Sequence, residues 1–278
     1  MLRPRLEILA AAVLWSTAGA AIKLCGLSGW QIAGGRSLVA GLFVFALFPE
    51  ARRLPGWRVL LVSVSYAATV VFFVLATKLT TAANAIFIQD MAPLWVLLLS
   101  PWLIAEKPTR GELLAVPIYG LGLGLFFLDE LSAGQKLGNL VALVSGVAFA
   151  FSIVGLRRVK GAGNSAIAWG NLLAAAVALP LWPQGPSPQA LDLALLVYLG
   201  VFQLGLAYVL FSKGLHGTPA VEASLLALLE PVLNPIWTFL LAGERPGPWA
   251  IAGGAIVLAA TAWRTLQPAL TARRAGAP

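Results

Sequence analysis

The sequence predicts an all-α integral membrane protein of ten transmembrane helices arranged as two inverted five-helix repeats, and three observations carry that prediction. Stretches of about twenty apolar residues follow one another along the chain, each long enough to cross a hydrocarbon core of about 30 Å. Hydrophobic residues make up 59% of the 278 and charged residues only 11%. The mean hydropathy is +0.87, a balance that a soluble domain of this length cannot hide from water. The third observation is a segment of the first half that recurs in the second.

The spans are read in order from their polar and proline-rich breaks. The first, 6–25, follows Arg3 and Arg5 and turns apolar like a signal peptide, but Trp15, Lys23 and the many later spans make it a retained first helix. The second, 31–48, stops at Pro49, and the third, 57–77, starts behind Pro55. The fourth, 81–104, contains Pro93 and precedes Glu106-Lys107-Pro108; the fifth, 110–128, carries Gly120, Gly122 and Gly124. The sixth, 136–157, runs from Lys136 to Arg157, and the seventh, 164–182, ends at Pro183-Gln184-Gly185-Pro186-Ser187-Pro188. The eighth spans 191–212, the ninth, 218–241, contains Pro231, and the tenth is 247–266. Prolines in the breaks do little harm, because the N–H they lack is not needed there.

Lys and Arg set the orientation. With ten spans, Arg3, Arg5, Arg52, Arg53, Arg58, Lys107, Arg110, Arg157, Arg158, Lys160, Lys213, Arg264, Arg273 and Arg274 fall on one side, and Lys23, Lys78, Lys136 and Arg245 on the other. The positive-inside rule then puts both termini in the cytoplasm. The net charge of +8 thus belongs to helix ends rather than to a nucleic-acid surface.

Several function classes drop out. Cys25 is the only cysteine, so neither an intrachain disulfide nor a thiolate metal cluster can form, and it reads as a small residue near a helix end. No Gly-Lys dipeptide occurs, hence no P-loop. His216 is the single histidine, and neither metal-ligand spacing nor a nucleophile elbow accompanies it. We expect no enzyme, no metal and no cofactor. A channel would need a continuous polar lining or filter loop, and neither is evident.

The repeat is explicit. Ala92-Pro93, followed by Glu106-Lys107-Pro108, is echoed by Glu230-Pro231, followed at the same spacing by Glu244-Arg245-Pro246. Upstream, Thr81-Ala82-Ala83-Asn84-Ala85 aligns with Pro219-Ala220-Val221-Glu222-Ala223 in the same frame. The units are 1–130 and 131–278, and an odd number of spans in each makes the second enter from the opposite face. Inverted repeats are the ground plan of secondary transporters, with substrate held near the midplane between the halves.

This repeated segment resembles the EamA-type repeat of the drug/metabolite transporter superfamily. A narrower resemblance is to its bacterial aromatic amino-acid exporters, through Val13-Leu14-Trp15-Ser16-Thr17, Val64-Ser65-Tyr66, Ala207-Tyr208 and Leu215-His216-Gly217. Where those exporters carry an aromatic-rich stretch before the fourth-span proline, this chain has Gln89-Asp90-Met91-Ala92. The resemblance implies a ten-helix basket with a central cavity in the bacterial inner (cytoplasmic) membrane. It also implies efflux of aromatic or hydrophobic amino acids and related small metabolites by alternating access. The alternative is another substrate class, such as a purine or a drug-like cation.

Charges deep in a bilayer are costly and must face a cavity, water or a partner. Glu230 and Asp90, each close to a repeat proline, are candidates to bind a substrate ammonium or a proton, the candidate coupling ion. Arg36, a turn into its span, reads as snorkelling to the interface or capping a helix end, with a substrate carboxylate as the other reading. Glu222 and Asn84 occupy equivalent positions near helix starts, where structure explains them. An aromatic substrate needs flat apolar walls, for which Trp15, Tyr66, Trp95, Phe151, Trp169, Tyr208 and Trp237 are available, and polar anchors such as Ser16, Thr17, Gln89, Gln203 and Asn171. Trp30, Trp57, Trp182 and Trp249, at span ends, read as interfacial belt. Pro93 and Pro231 are the candidate hinges.

Overall fold

The computed structural model of the protein describes residues 2–128, 136–159, 161–242 and 247–274, and all regular structure among them is helical. Lys160 and Glu244-Arg245-Pro246, used above for orientation and repeat, lie outside the described residues. Helices α1 (Leu2–Trp15) and α2 (Ala18–Leu24) fill the first predicted span, α3 (Gly29–Leu47) the second and α4 (Trp57–Leu79) the third. The fourth is divided into α5 (Ala82–Gln89) and α6 (Ala92–Leu103), and α7 (Arg110–Leu128) is the fifth. Then come α8 (Lys136–Arg158) and α9 (Gly163–Ala178). The eighth interval is α10 (Ala190–Tyr198), a wider π-helical stretch over Leu199–Leu206, and α11 (Ala207–Gly217). The ninth is α12 (Ala220–Ala227) with α13 (Leu229–Ala242), and α14 (Pro248–Arg274) is the last.

Every predicted interval is therefore helical. By length and composition, seven described helices can cross a membrane: Leu2–Leu24, Gly29–Leu47, Trp57–Leu79, Asn84–Leu103, Lys136–Arg158, Gly163–Gln184 and Ala190–Gly217. Apolar side chains cover the outside of the bundle, with Trp57 and Trp102 exposed by 68% and 87%, as suits a lipid-facing surface.

Local chemistry explains the helix starts. Ser28 and Gln31 form a reciprocal cap at the head of α3, each side chain bonding the other's amide. Thr109 and Glu112 do the same for α7. Thr81 caps α5 by accepting the Asn84 N–H.

Three spans that read as continuous helices are broken. Ser16 and Thr17 hydroxyls donate back to the Val13 and Leu14 carbonyls and turn the chain between α1 and α2. Between α5 and α6 the break falls at Asp90-Met91, just ahead of Pro93; between α12 and α13 it falls at Leu228, just ahead of Pro231. A proline that cannot donate to the preceding turn makes a break there inexpensive. Equal stretches of chain separate the two prolines and the two breaks. The prolines therefore sit in the first turn of a new helix rather than at the kink of a continuous one.

Helix α4 packs on α8 and α9, α3 on α9, α1 on α11 and α7 on α14. Close approach needs small residues. A Cβ on Gly170 would lie 2.6 Å from the Tyr66 ring, and one on Gly122 3.0 Å from the Gly253 carbonyl. Gly120 and Gly124 do not serve this purpose, since nothing lies within 4 Å of where their Cβ would be.

Both ends of the bundle are tied across the chain. At one end Arg5 makes a two-point ion pair with Glu222, at 2.8 and 3.2 Å, both side chains nearly buried. Beside it, Glu106 accepts from Arg157 at 2.6 Å with one oxygen and from the Ala220 amide at 3.1 Å with the other. At the opposite end Lys23 and Lys78 donate to the Thr80 and Cys25 carbonyls, and Asp192 accepts the Gly26 N–H. Glu222 lies in the first turn of α12, so its charge also meets the positive end of that helix.

Removing one partner of a buried ion pair strands the other. Arg5→Ala is expected to lower the unfolding free energy by about 3 kcal/mol, read as a reduced denaturation midpoint of the detergent-solubilised protein; an unchanged midpoint would show that the pair contributes little.

Candidate functional site

The helix breaks and the π-helical stretch bring polar groups to the middle of the bundle. There a narrow chamber is lined by Trp15, Arg36, Thr69, Val70, Phe73, Gln89, Phe149, Gln203, Leu204, Tyr208 and Glu230. Its volume of about 20 Å³ leaves room for about one water molecule. Small-molecule sites measure roughly 300–1,000 Å³, so the chamber as it stands is too small for such a ligand.

Aromatic rings form one wall. Trp15, at the end of α1, stands 4.7 Å from Tyr208, 4.9 Å from Phe211 and 5.7 Å from Phe149 between ring centres. Tyr66 packs edge-on behind Tyr208 at 4.6 Å, and its hydroxyl accepts from Asn171 at 2.9 Å. Such tilted and edge-to-face pairs add about 0.5–1.5 kcal/mol each beyond the apolar area they bury.

Polar groups form the other wall. Arg36 is 1% exposed, and its guanidinium donates to Gln203 Oε1 at 2.9 Å and to the Val70 carbonyl at 2.8 Å. The wider π-helical turn supplies Gln203, a use to which such turns are often put. Gly200 lets it approach, since a Cβ there would lie 2.5 Å from Val39 and 2.8 Å from the Arg36 carbonyl oxygen. Gln89 is held by the Ser145 hydroxyl, which donates to its Oε1 at 2.6 Å. Glu230, 4% exposed, reaches the chamber from the first turn of α13.

Of the site residues expected from the sequence, Trp15, Gln89, Gln203, Tyr208 and Glu230 come together on the chamber, with Tyr66 directly behind. Ser16 and Thr17 adjoin it, but their hydroxyls are engaged. Each donates to the preceding turn, Ser16 accepts the Trp237 indole N–H at 2.8 Å, and Thr17 accepts the Tyr198 hydroxyl at 2.9 Å. Asp90 lines a separate lateral cleft of about 220 Å³ together with Pro93, Tyr119, Gly120, Gly124 and Leu228.

Two assignments need correction. Phe151 is 43% exposed on the outer side of α8, beside Trp57 and Leu61 in another cleft. Residues two apart on a helix point about 200° apart, and it is Phe149 that faces inward. The signal was available: Ser145, Phe149 and Ser152 recur at helical spacing and mark the buried face. Trp169 is taken up elsewhere, its indole N–H donating to the Ala51 and Arg53 carbonyls at 3.1 Å. Sequence reasoning did not single out Phe73 and Thr69, and of its two readings of Arg36, at the interface or facing a substrate, the structure puts the residue in the chamber wall. A charge in the interior half of an otherwise apolar span was the available sign.

Comparison with known proteins gives the same picture. An uncharacterized transporter of Bacillus subtilis is 28% identical over 269 residues, covering 91% of this chain and 90% of the relative. An uncharacterized transporter of Archaeoglobus fulgidus is 29% identical over 70% of this chain and 72% of its own. A biotin transporter of Salmonella typhimurium is 24% identical over 64% of this chain and 63% of its own. One solved crystal structure superposes with a TM-score of 0.81 over 95% of this chain and 97% of that one, at 20% identity, which speaks to fold alone. Residues 6–128 and 136–265 each match the EamA-like transporter family. Matched along both halves and built as a helical bundle, the protein belongs to the EamA-like transporter family and is a multi-pass membrane transporter, not an enzyme.

Proposed function

We propose that the protein is a secondary transporter that exports aromatic or hydrophobic amino acids and related small metabolites across a bacterial cytoplasmic membrane by alternating access. The observation that carries this reading is the central chamber, in which an aromatic wall faces one buried arginine and one buried glutamate. A zwitterion with a flat side chain suits those walls.

In this reading α7, the α12–α13 pair and α14 also cross the bilayer, giving ten spans, two five-helix units (1–130 and 131–278) and cytoplasmic termini. Exchange of partners supports it. The pairs α4–α8 and α1–α11, and likewise α5–α8 and α1–α12, map onto each other when each helix is replaced by its counterpart at the repeat offset. The pairs α3–α9 and α7–α14 map onto themselves. The breaks ahead of Pro93 and Pro231 act as pivots that open the chamber to either side. A proton taken up by Glu230 or Asp90 couples the cycle to the pH gradient.

A second reading is a biotin carrier. Some relatives bear that name, and biotin also presents an apolar body with one carboxylate.

Three outcomes test these points. Purified protein in liposomes is expected to move labelled phenylalanine or tryptophan saturably, and biotin moving in their place would favour the second reading. Glu230→Gln is expected to cut accumulation driven by a pH gradient at least tenfold while leaving exchange at equal pH measurable; the pH dependence persisting in both Glu230→Gln and Asp90→Asn would sink proton coupling. Pro93→Ala and Pro231→Ala, which restore an N–H donor and favour continuous helices, are expected to slow turnover several-fold in the same liposomes with the folded fraction retained, and normal cycling would exclude the pivots.

A further inference from the structure

Arg36 sits in the chamber wall with its donors incompletely used. Two of its nitrogens donate to Gln203 and the Val70 carbonyl, but Nε is buried without a partner. Among the described residues no carboxylate comes within 4.0 Å of the guanidinium. A buried arginine usually has an anion beside it, since the charge is costly to leave uncompensated. The face of Phe73, 6.0 Å away, offers only a cation–π contact.

A second donor, on the facing wall of the same chamber, is also without a partner among the described residues. The Trp15 indole N–H is buried and bonds to nothing, although indole N–H groups inside proteins usually find an acceptor. One charged and one neutral donor on a single chamber call for an acceptor that is anionic and has two oxygens. Gln203 and Val70 fix the guanidinium plane, so its orientation is set before any ligand arrives.

We propose that Arg36, assisted by the Trp15 indole N–H, binds the carboxylate of the transported molecule, and that the substrate class is a monocarboxylate with an apolar body. A single arginine and the nearby Glu230 leave no charge to balance a dianion such as a phosphate ester. The proposal rests on the chamber being the transport site, but it holds for an amino acid and for biotin alike.

The test compares acids with their own amides by calorimetric titration of the intact, detergent-purified protein: phenylalanine against phenylalaninamide, 3-phenylpropanoate against its amide, and biotin against biotinamide. In at least one pair the acid is expected to bind ten-fold or more tightly than the amide. Arg36→Gln should abolish that preference and Trp15→Phe, which keeps the ring and loses only the N–H, should reduce it several-fold. Should Arg36→Gln fail to fold, Trp15→Phe still decides. Acid binding no tighter than amide in every pair, including no binding at all, overturns the proposal, as does full preference retained in the Trp15→Phe protein. Preference in the biotin pair with no binding of phenylalanine upholds it while rejecting amino-acid export; phenylalanine and its amide binding equally, with no preference in the other pairs, overturns it while leaving amino-acid export standing.

Discussion

A bilayer interior offers no water to an unpaired peptide or side-chain polar group, and each one left unpaired there costs several kcal/mol. That constraint accounts for most of the architecture. It makes the described chain helical throughout and puts apolar side chains on the outside. Within the predicted spans, irregular backbone falls where protein surrounds it. The turn at Ser16-Thr17 and the π-helical stretch border the chamber, and the breaks at Asp90 and Leu228 lie beside the lateral cleft. Hydroxyl groups repair some of the exposed carbonyls, as Ser16 and Thr17 do for the first break.

The helical intervals were legible because length and apolarity decide them, and these are one-dimensional properties. The breaks at Pro93 and Pro231 could be anticipated but not located, since a proline sets where an N–H is missing and packing decides how the helix responds. Which face of a helix looks inward was less legible. Phe149 and Phe151 are the same residue type two positions apart, and choosing between them needs the phase of the helix, which in this stretch only Ser145 and Ser152 display. The two readings of Arg36 stayed open for a related reason. Sequence gives distance from the end of a span, whereas burial depends on α4 and the π-helical stretch closing around it. Trp169 could not be assigned at all from its own neighbourhood, because its partners lie more than a hundred positions away.

A transporter must bind its cargo without holding it open to both sides, and the space left in the chamber here is about 20 Å³. Trp15, Tyr208 and Phe149 lie against one another where a flat side chain would go. Their mutual contacts are therefore in competition with any ligand of similar shape.

The double role of Glu106 has a mechanical consequence. Its two oxygens hold different partners, the guanidinium of Arg157 on α8 and the first amide of α12. Neither helix can draw away alone without disturbing the carboxylate that anchors the other, so the fastening behaves as a latch with two positions, set or sprung, and a half-released state is disfavoured.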